Sequence, residues 1–240
     1  EMKGAYSTPE GMLDRYIQNT LFSDNCYGKD SGGDPAEIPE LTYEKFLDFH
    51  RTYYHPSNSY IYLYGDMDMA EKLTWLDEEY LCHYGERPVD SRIAEQKAFE
   101  KPVEREVFYS ITEEEPEENK TYLSLSTVVG TDLDPVLYVA FQILEYTLLS
   151  APGAPLKQAL IDAGIGKDIL GGYESGILQP YFTVIAKEAE RTQRGEFLAV
   201  VKGTLRKLAE EGINRKSLLA GMNYYEFRYR EADYGTTPKG

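Results

Sequence analysis

Apolar positions recur at helical spacing in the second part of residues 1–21, where Met12, Tyr16 and Asn19 share one face and Ile17 and Leu21 another. A turn-rich stretch follows from Asp24 to Glu40, punctuated by Gly28, Gly32, Gly33, Pro35 and Pro39. Thr42 is placed to cap a helix carrying Phe46, Phe49 and Tyr53 at i, i+3 and i+7. His55-Pro56 stops that helix, because a residue before proline avoids helical geometry. Tyr60–Tyr64 reads Tyr-Ile-Tyr-Leu-Tyr, an aromatic and β-branched alternation that predicts a strand broken at Gly65. Asp68 followed by Glu71 has capping-box spacing and opens a predicted helix with Met69, Leu73, Leu76 and Tyr80 on one face.

Residues 85–102 are polar, lack a period and read as a linker. Beyond them, alternation predicts strands at 103–111 (Val107, Tyr109, Ile111) and 122–129 (Leu123, Leu125, Thr127, Val129), separated by an acidic loop at 113–119. A helix over 135–149 is apolar on most sides, which predicts burial. A second helix starts at Pro155, suited to a first helical turn, and ends at Gly164. Strands are expected at 168–173 and 181–186, with Gly171 and Gly172 as bulge or close-approach sites. Two periodic helices close the chain, one lined by Phe197, Val201, Leu205 and Leu208, the other by Leu218, Met222, Tyr225 and Tyr229. Gly212 between them is a C-cap candidate. The order strand-strand-helix-helix-strand-strand-helix-helix predicts an α+β fold, an antiparallel sheet with helices packed on one face.

Charge narrows the function classes. The 240 residues carry a formal net charge of −16, which disfavours nucleic acid and anionic membrane as partners because phosphate contacts need clustered Lys and Arg. No run of about 18 apolar residues is present to span a bilayer. Cys26 and Cys82 have neither metal nor redox spacing and suit a reducing compartment, hence the cytoplasm, with the mitochondrion as alternative. The first residue is Glu1 rather than Met, so the sequence is expected to begin inside a longer gene product or after a cleavage.

Motifs for self-contained catalysis are missing. His50 and His55 lie five apart, roughly 140° around a helix at 3.6 residues per turn, so they cannot share a metal as a zinc-helix pair does; His83 stands alone. The glycine-rich loop at 28–35 lacks the Gly-Lys-Ser/Thr of a phosphate cradle. Tyr173-Glu174-Ser175-Gly176 is not a nucleophile elbow, and paired carboxylates such as Glu78 and Glu79 are commonplace in so acidic a chain. The 21 tyrosines default to half-buried core positions, although those at 60–64 and 224–229 could also grip extended peptide.

Specific residues add a resemblance. Glu1-Met2-Lys3-Gly4-Ala5-Tyr6-Ser7, Ser31-Gly32-Gly33-Asp34-Pro35, Ile38-Pro39-Glu40-Leu41-Thr42 and Tyr54-His55-Pro56-Ser57-Asn58 occur in order. Ser150-Ala151-Pro152-Gly153-Ala154-Pro155-Leu156 and Ala159-Leu160-Ile161-Asp162-Ala163-Gly164 follow. Together these blocks resemble the presequence protease branch of the insulinase (pitrilysin-like) zinc metallopeptidases. The resemblance implies insulinase-type homologous domains: the C-terminal part of the first, catalytic one over 1–84, a linker over 85–102, and most of a second, noncatalytic one over 103–240.

It also implies chemistry. Zinc in that family is held by two histidines of an inverted His-x-x-Glu-His helix and a later glutamate, and Glu1 sits at the position of that glutamate. The motif's own Glu acts as general base on the zinc-bound water. This sequence contains no His-x-x-Glu-His, so a lone carboxylate leaves the zinc site incomplete and the chain by itself is expected to be inert. The expected partners are unfolded peptide substrates and the missing N- and C-terminal portions of the same polypeptide. Two other readings stand beside this one: a noncatalytic scaffold of the same fold, as in core subunits of the respiratory cytochrome complex, and an unrelated peptide-binding module.

Overall fold

The computed structural model describes Gly4 and residues 7–231. Two units divide them, one formed by the chain before Asp30 and after Ala94, the other by Asp30–Ala94. In chain order the helices are α1 (Pro9–Leu21), α2 (Tyr43–Tyr53), α3 (Met69–Glu79), α4 (Pro135–Glu145), α5 (Pro155–Asp162), α6 (Arg194–Glu211) and α7 (Arg215–Glu231). The strands are β1 (Thr121–Val128), β2 (Asp168–Glu174) and β3 (Tyr181–Ala189).

In the first unit the sheet order is β1-β3-β2, antiparallel throughout, with Leu125 opposite Val184 and Gly171 opposite Val184 on the other side. The central strand therefore has both edges paired, and its side chains alternate between two covered faces. Phe182, Val184 and Ala186 pack with Leu148, Leu149, Leu156, Leu160, Phe197 and Val201 from the helical layer. Tyr181 and Ile185 point the other way, onto Ile17, Leu21 and Phe22 at the end of α1. The predicted antiparallel sheet with helices on one face is present, and α1 covers part of the opposite face as well.

Local chemistry sets the helix ends. Asp134 accepts from Val136 N and Leu137 N at 3.0 Å ahead of Pro135, and Gly212 closes α6 at φ +85°. The helix expected over 135–149 changes character after Glu145, where Tyr146–Ser150 forms a π turn. That turn lets Thr147 sink into the interior at 1% exposure, beneath Gly221 of α7, where an added Cβ would meet Thr147 Oγ1 at 2.8 Å. Burial rises along the expected 135–149 helix: Val136 at its start is 77% exposed, the residues from Ala140 to Tyr146 are half-buried against β2 and α7, and Thr147, Leu148 and Leu149 are buried.

Asp30–Ala94 contains α2, α3 and short 3-10 turns, and no strand among its residues. Thr42 caps α2 by accepting from Lys45 N at 3.3 Å, and Asp68 caps α3 by accepting from Glu71 N at 3.0 Å. The predicted strand at Tyr60–Tyr64 is an unpaired segment with Tyr60, Tyr62 and Tyr64 exposed. The strand predicted at 103–111 is unpaired too; side chains hold it instead, Tyr109 donating to Lys120 O and Arg191 pairing with Glu106 at 2.8 Å. A strand needs a neighbour's N–H and C=O groups, and neither run has one among the described residues.

Gly171 lies at φ +150°, where an added Cβ would sit 2.3 Å from Thr183 O and 3.0 Å from Leu149 Cδ1, whereas Gly172 has open space. Gly171→Ala is therefore expected to cost about 1–3 kcal/mol in denaturant unfolding, with Gly172→Ala within about 0.5 kcal/mol of the parent. Equal costs would show that close approach does not govern this edge of the sheet. Leu160, fully buried between sheet and α6, should cost about 2–5 kcal/mol on truncation to Ala.

Candidate functional site

The segment carrying Glu1 leads directly into α1, so the way α1 is held is the part of the candidate site that the structure shows. Thr8 caps the helix by accepting from Gly11 N at 3.1 Å, with Pro9 in the first turn. Within the first turn, Glu10 Oε1 accepts from Lys187 Nζ of β3 at 2.6 Å and from Tyr122 OH of β1 at 2.9 Å. Lys187, Ile185, Thr183 and Tyr181 alternate onto the same face of β3, and Ser126 Oγ lies 2.7 Å from Thr183 Oγ1 between them. Apolar contacts of Leu13, Ile17 and Leu21 with that face seat the rest of the helix.

The electrostatics follow from this packing. The Lys187 ammonium, by hydrogen bonding, holds the Glu10 carboxyl below its ordinary range, and Glu10 in turn raises Lys187. Burial pushes Tyr122 up to about 12, with its hydrogen bond to Glu10 adding to the rise. Tyr181 is pushed up to about 12, also chiefly by burial, with the charges of Glu174 and Asp14 adding to it. The cluster anchors a helix; it pairs no nucleophile with a base.

Glu1, the sequence-derived metal ligand, lies outside the described residues. The histidines are engaged elsewhere: His50 stacks on Tyr54 at 4.7 Å, and His55 Nδ1 accepts from Ser57 N at 3.2 Å while its ring meets the edge of Tyr84. Among the described residues no group of three or more His, Cys, Asp or Glu side chains is arranged to hold a metal ion. The described donor set therefore does not fit a zinc site. Among the described residues no helix is long and apolar enough to cross a membrane. The Glu10 anchor was not legible in the sequence, since its partners lie 112 and 177 residues away and no local pattern marks them.

Comparison with known proteins supplies the family. Residues 40–224 match the family described as Peptidase M16 inactive domain. Protein HypA of Clostridium perfringens is 48% identical over 240 residues, covering all of this chain and 25% of that protein. Presequence protease 1, chloroplastic/mitochondrial, of Arabidopsis thaliana is 37% identical over 244 residues, covering all of this chain and 22% of that protein. The chain thus spans a quarter or less of the length of these relatives. A crystal structure of a peptidase M16 inactive domain from Pseudomonas fluorescens superposes with a TM-score of 0.65 at 17% identity, over 95% of this chain and 53% of that one, a likeness of fold. The resemblance to the insulinase-type peptidases is borne out, and the chain belongs to the peptidase M16 inactive-domain family, homologous to the presequence proteases.

Proposed function

We propose that this chain forms part of a zinc-dependent endopeptidase that hydrolyses short unstructured peptides in an enclosed chamber. The match that carries the reading is the alignment of this whole chain, at 37% identity, to 22% of a protein named presequence protease. In this reading residues 1–84 close the first homologous domain, 85–102 connect, and 103–240 form a noncatalytic second domain that acts as a wall. Glu1 contributes one carboxylate to the zinc, and histidines and general base come from other parts of the polypeptide. The described residues bind and orient; they carry no step of the hydrolysis. The cytoplasm is the proposed compartment. An organelle is the alternative, since the Arabidopsis relative is named for chloroplast and mitochondrion.

The anchor of α1 gives the wall a second task, which is to steady the helix that follows Glu1. Carboxylate and ammonium at 2.6 Å hold that helix to β3, and the half-buried phenol of Tyr122 fixes the carboxylate's direction.

Zinc content of the complete polypeptide tests the reading. Glu1→Gln should lower zinc affinity by more than the roughly 10–100-fold typical of outer-sphere changes, and peptide cleavage should fall with it. Unchanged zinc stoichiometry with full cleavage would remove Glu1 from the site. The anchor has its own pH signature. Glu10 has a folded-state value below its ordinary 4.5, so its stabilisation is complete above that pH and is lost as pH falls through the lower folded value. Glu10→Gln should therefore flatten the acid limb of the stability curve below about pH 4.5. At pH 7 the same change should lower Tm by only about 1–3 °C, because the pair is partly exposed. An unaltered acid limb would argue against the anchor.

A further inference from the structure

Between Cys82 and Lys120 one residue is buried, and it is polar: Gln96. At 7% exposure it sits in a stretch that forms no helix or strand and reads in sequence as a free linker. Its backbone and side chain are both engaged. Gln96 N donates to Gln179 Oε1 at 2.5 Å, and Gln179 Nε2 donates back to Gln96 O at 3.2 Å. Gln179, itself 7% exposed in the turn between β2 and β3, thus supplies one residue's worth of strand-like pairing from a side chain. The Gln96 side chain does the same for Asp24. Its Oε1 accepts from Asp24 N at 2.8 Å, and its Nε2 donates to Asp24 Oδ2 at 2.7 Å and to Lys97 O at 3.1 Å.

The position of these contacts gives them meaning. The chain leaves the sheet-containing unit after Lys29 and returns to it at Glu95. Asp24 precedes the departure and Gln96 follows the return, so one side chain bridges the two points across 72 residues of sequence. The same β2–β3 turn also holds the departing segment, because Leu178 N donates to Tyr27 OH at 3.2 Å. The departing turn is further secured to α1, where Asn19 Nδ2 donates to Gly28 O at 2.7 Å. A buried amide with all of its hydrogen-bonding groups engaged is stable only while its partners stay in place, so losing one partner leaves the others buried and unmatched.

We infer that Gln96, Gln179 and Asp24 form a strap that closes the neck of the 30–94 excursion. Holding the strap keeps the departing and returning segments together on the β2–β3 turn. Releasing it opens both connections in one step, while the sheet and its helices stay folded.

Limited trypsin digestion of the full chain under native conditions tests this. Lys29 and Lys97 flank the strap on the departing and returning segments, and exposed Arg92 lies outside it as an internal reference. Gln96→Ala and Gln179→Ala should each raise cleavage after both Lys29 and Lys97 at least about tenfold relative to Arg92, since cleavage tracks the open population. Gln96→Glu should do likewise, because it sets a second carboxylate against Asp24. Adding Asp24→Asn to Gln96→Glu exchanges donor and acceptor between these two side chains, though not towards Lys97 O, and should return cleavage at both lysines part of the way to the parent rate. Faster cleavage after Lys97 alone would overturn the strap, as would no change at either lysine. Failure of the reversed pair to restore protection, or accelerated cleavage throughout β1–β3, would overturn it too.

Discussion

The burial of β3 on both faces and along both edges is the constraint on which the rest of this molecule depends. Its side chains are almost all buried from Tyr181 to Ala186, and its backbone is paired to β1 on one side and β2 on the other. A one-residue slip would send Phe182, Val184 and Ala186 into the layer meant for Tyr181 and Ile185, so the register is set twice over. α5 and α6 settle on one face through Leu156, Leu160, Phe197 and Val201, and α1 settles on the other through Ile17 and Leu21. The polar Lys187 end of the same strand then catches Glu10. One strand therefore organises both the core and the seat of the helix that follows Glu1.

Local order was readable from the chain. Thr42 and Asp68 cap the helices they precede, Pro155 opens α5, and the 3.6-residue spacing of Phe197 and Val201 identifies the buried stripe of α6. The runs at 60–64 and 103–111 alternate as strands should, but alternation reports only which side chains could share a face. Pairing is supplied by a neighbour distant in sequence, and neither run has one among the described residues. Gln96 shows the opposite failure. A polar residue in a polar stretch carries no signal of burial, and its partners at 24 and 179 are fixed by the tertiary fold alone. The Glu10 anchor was hidden for the same reason, while the Glu1 assignment rests on motif resemblance and lies outside the described residues.

The physical character of the chain agrees with its family's description as an inactive domain. Its described polar groups cap helices, anchor α1 and tie loops, and burial raises the phenols of Tyr122, Tyr181 and Tyr225. In the proposed reading this is the division of labour in the enzyme: metal and base elsewhere, a rigid wall and a steadied helix here.

Residue-resolved amide exchange on the 240-residue chain tests most directly the claim that β3 organises the fold. Amides of Val184, Ile185 and Ala186 should open only with global unfolding and exchange slowest, while those of Tyr60–Tyr64 should exchange near free-peptide rates. Protection of Tyr60–Tyr64 equal to that of β3, or fast exchange along β3 itself, would contradict the account.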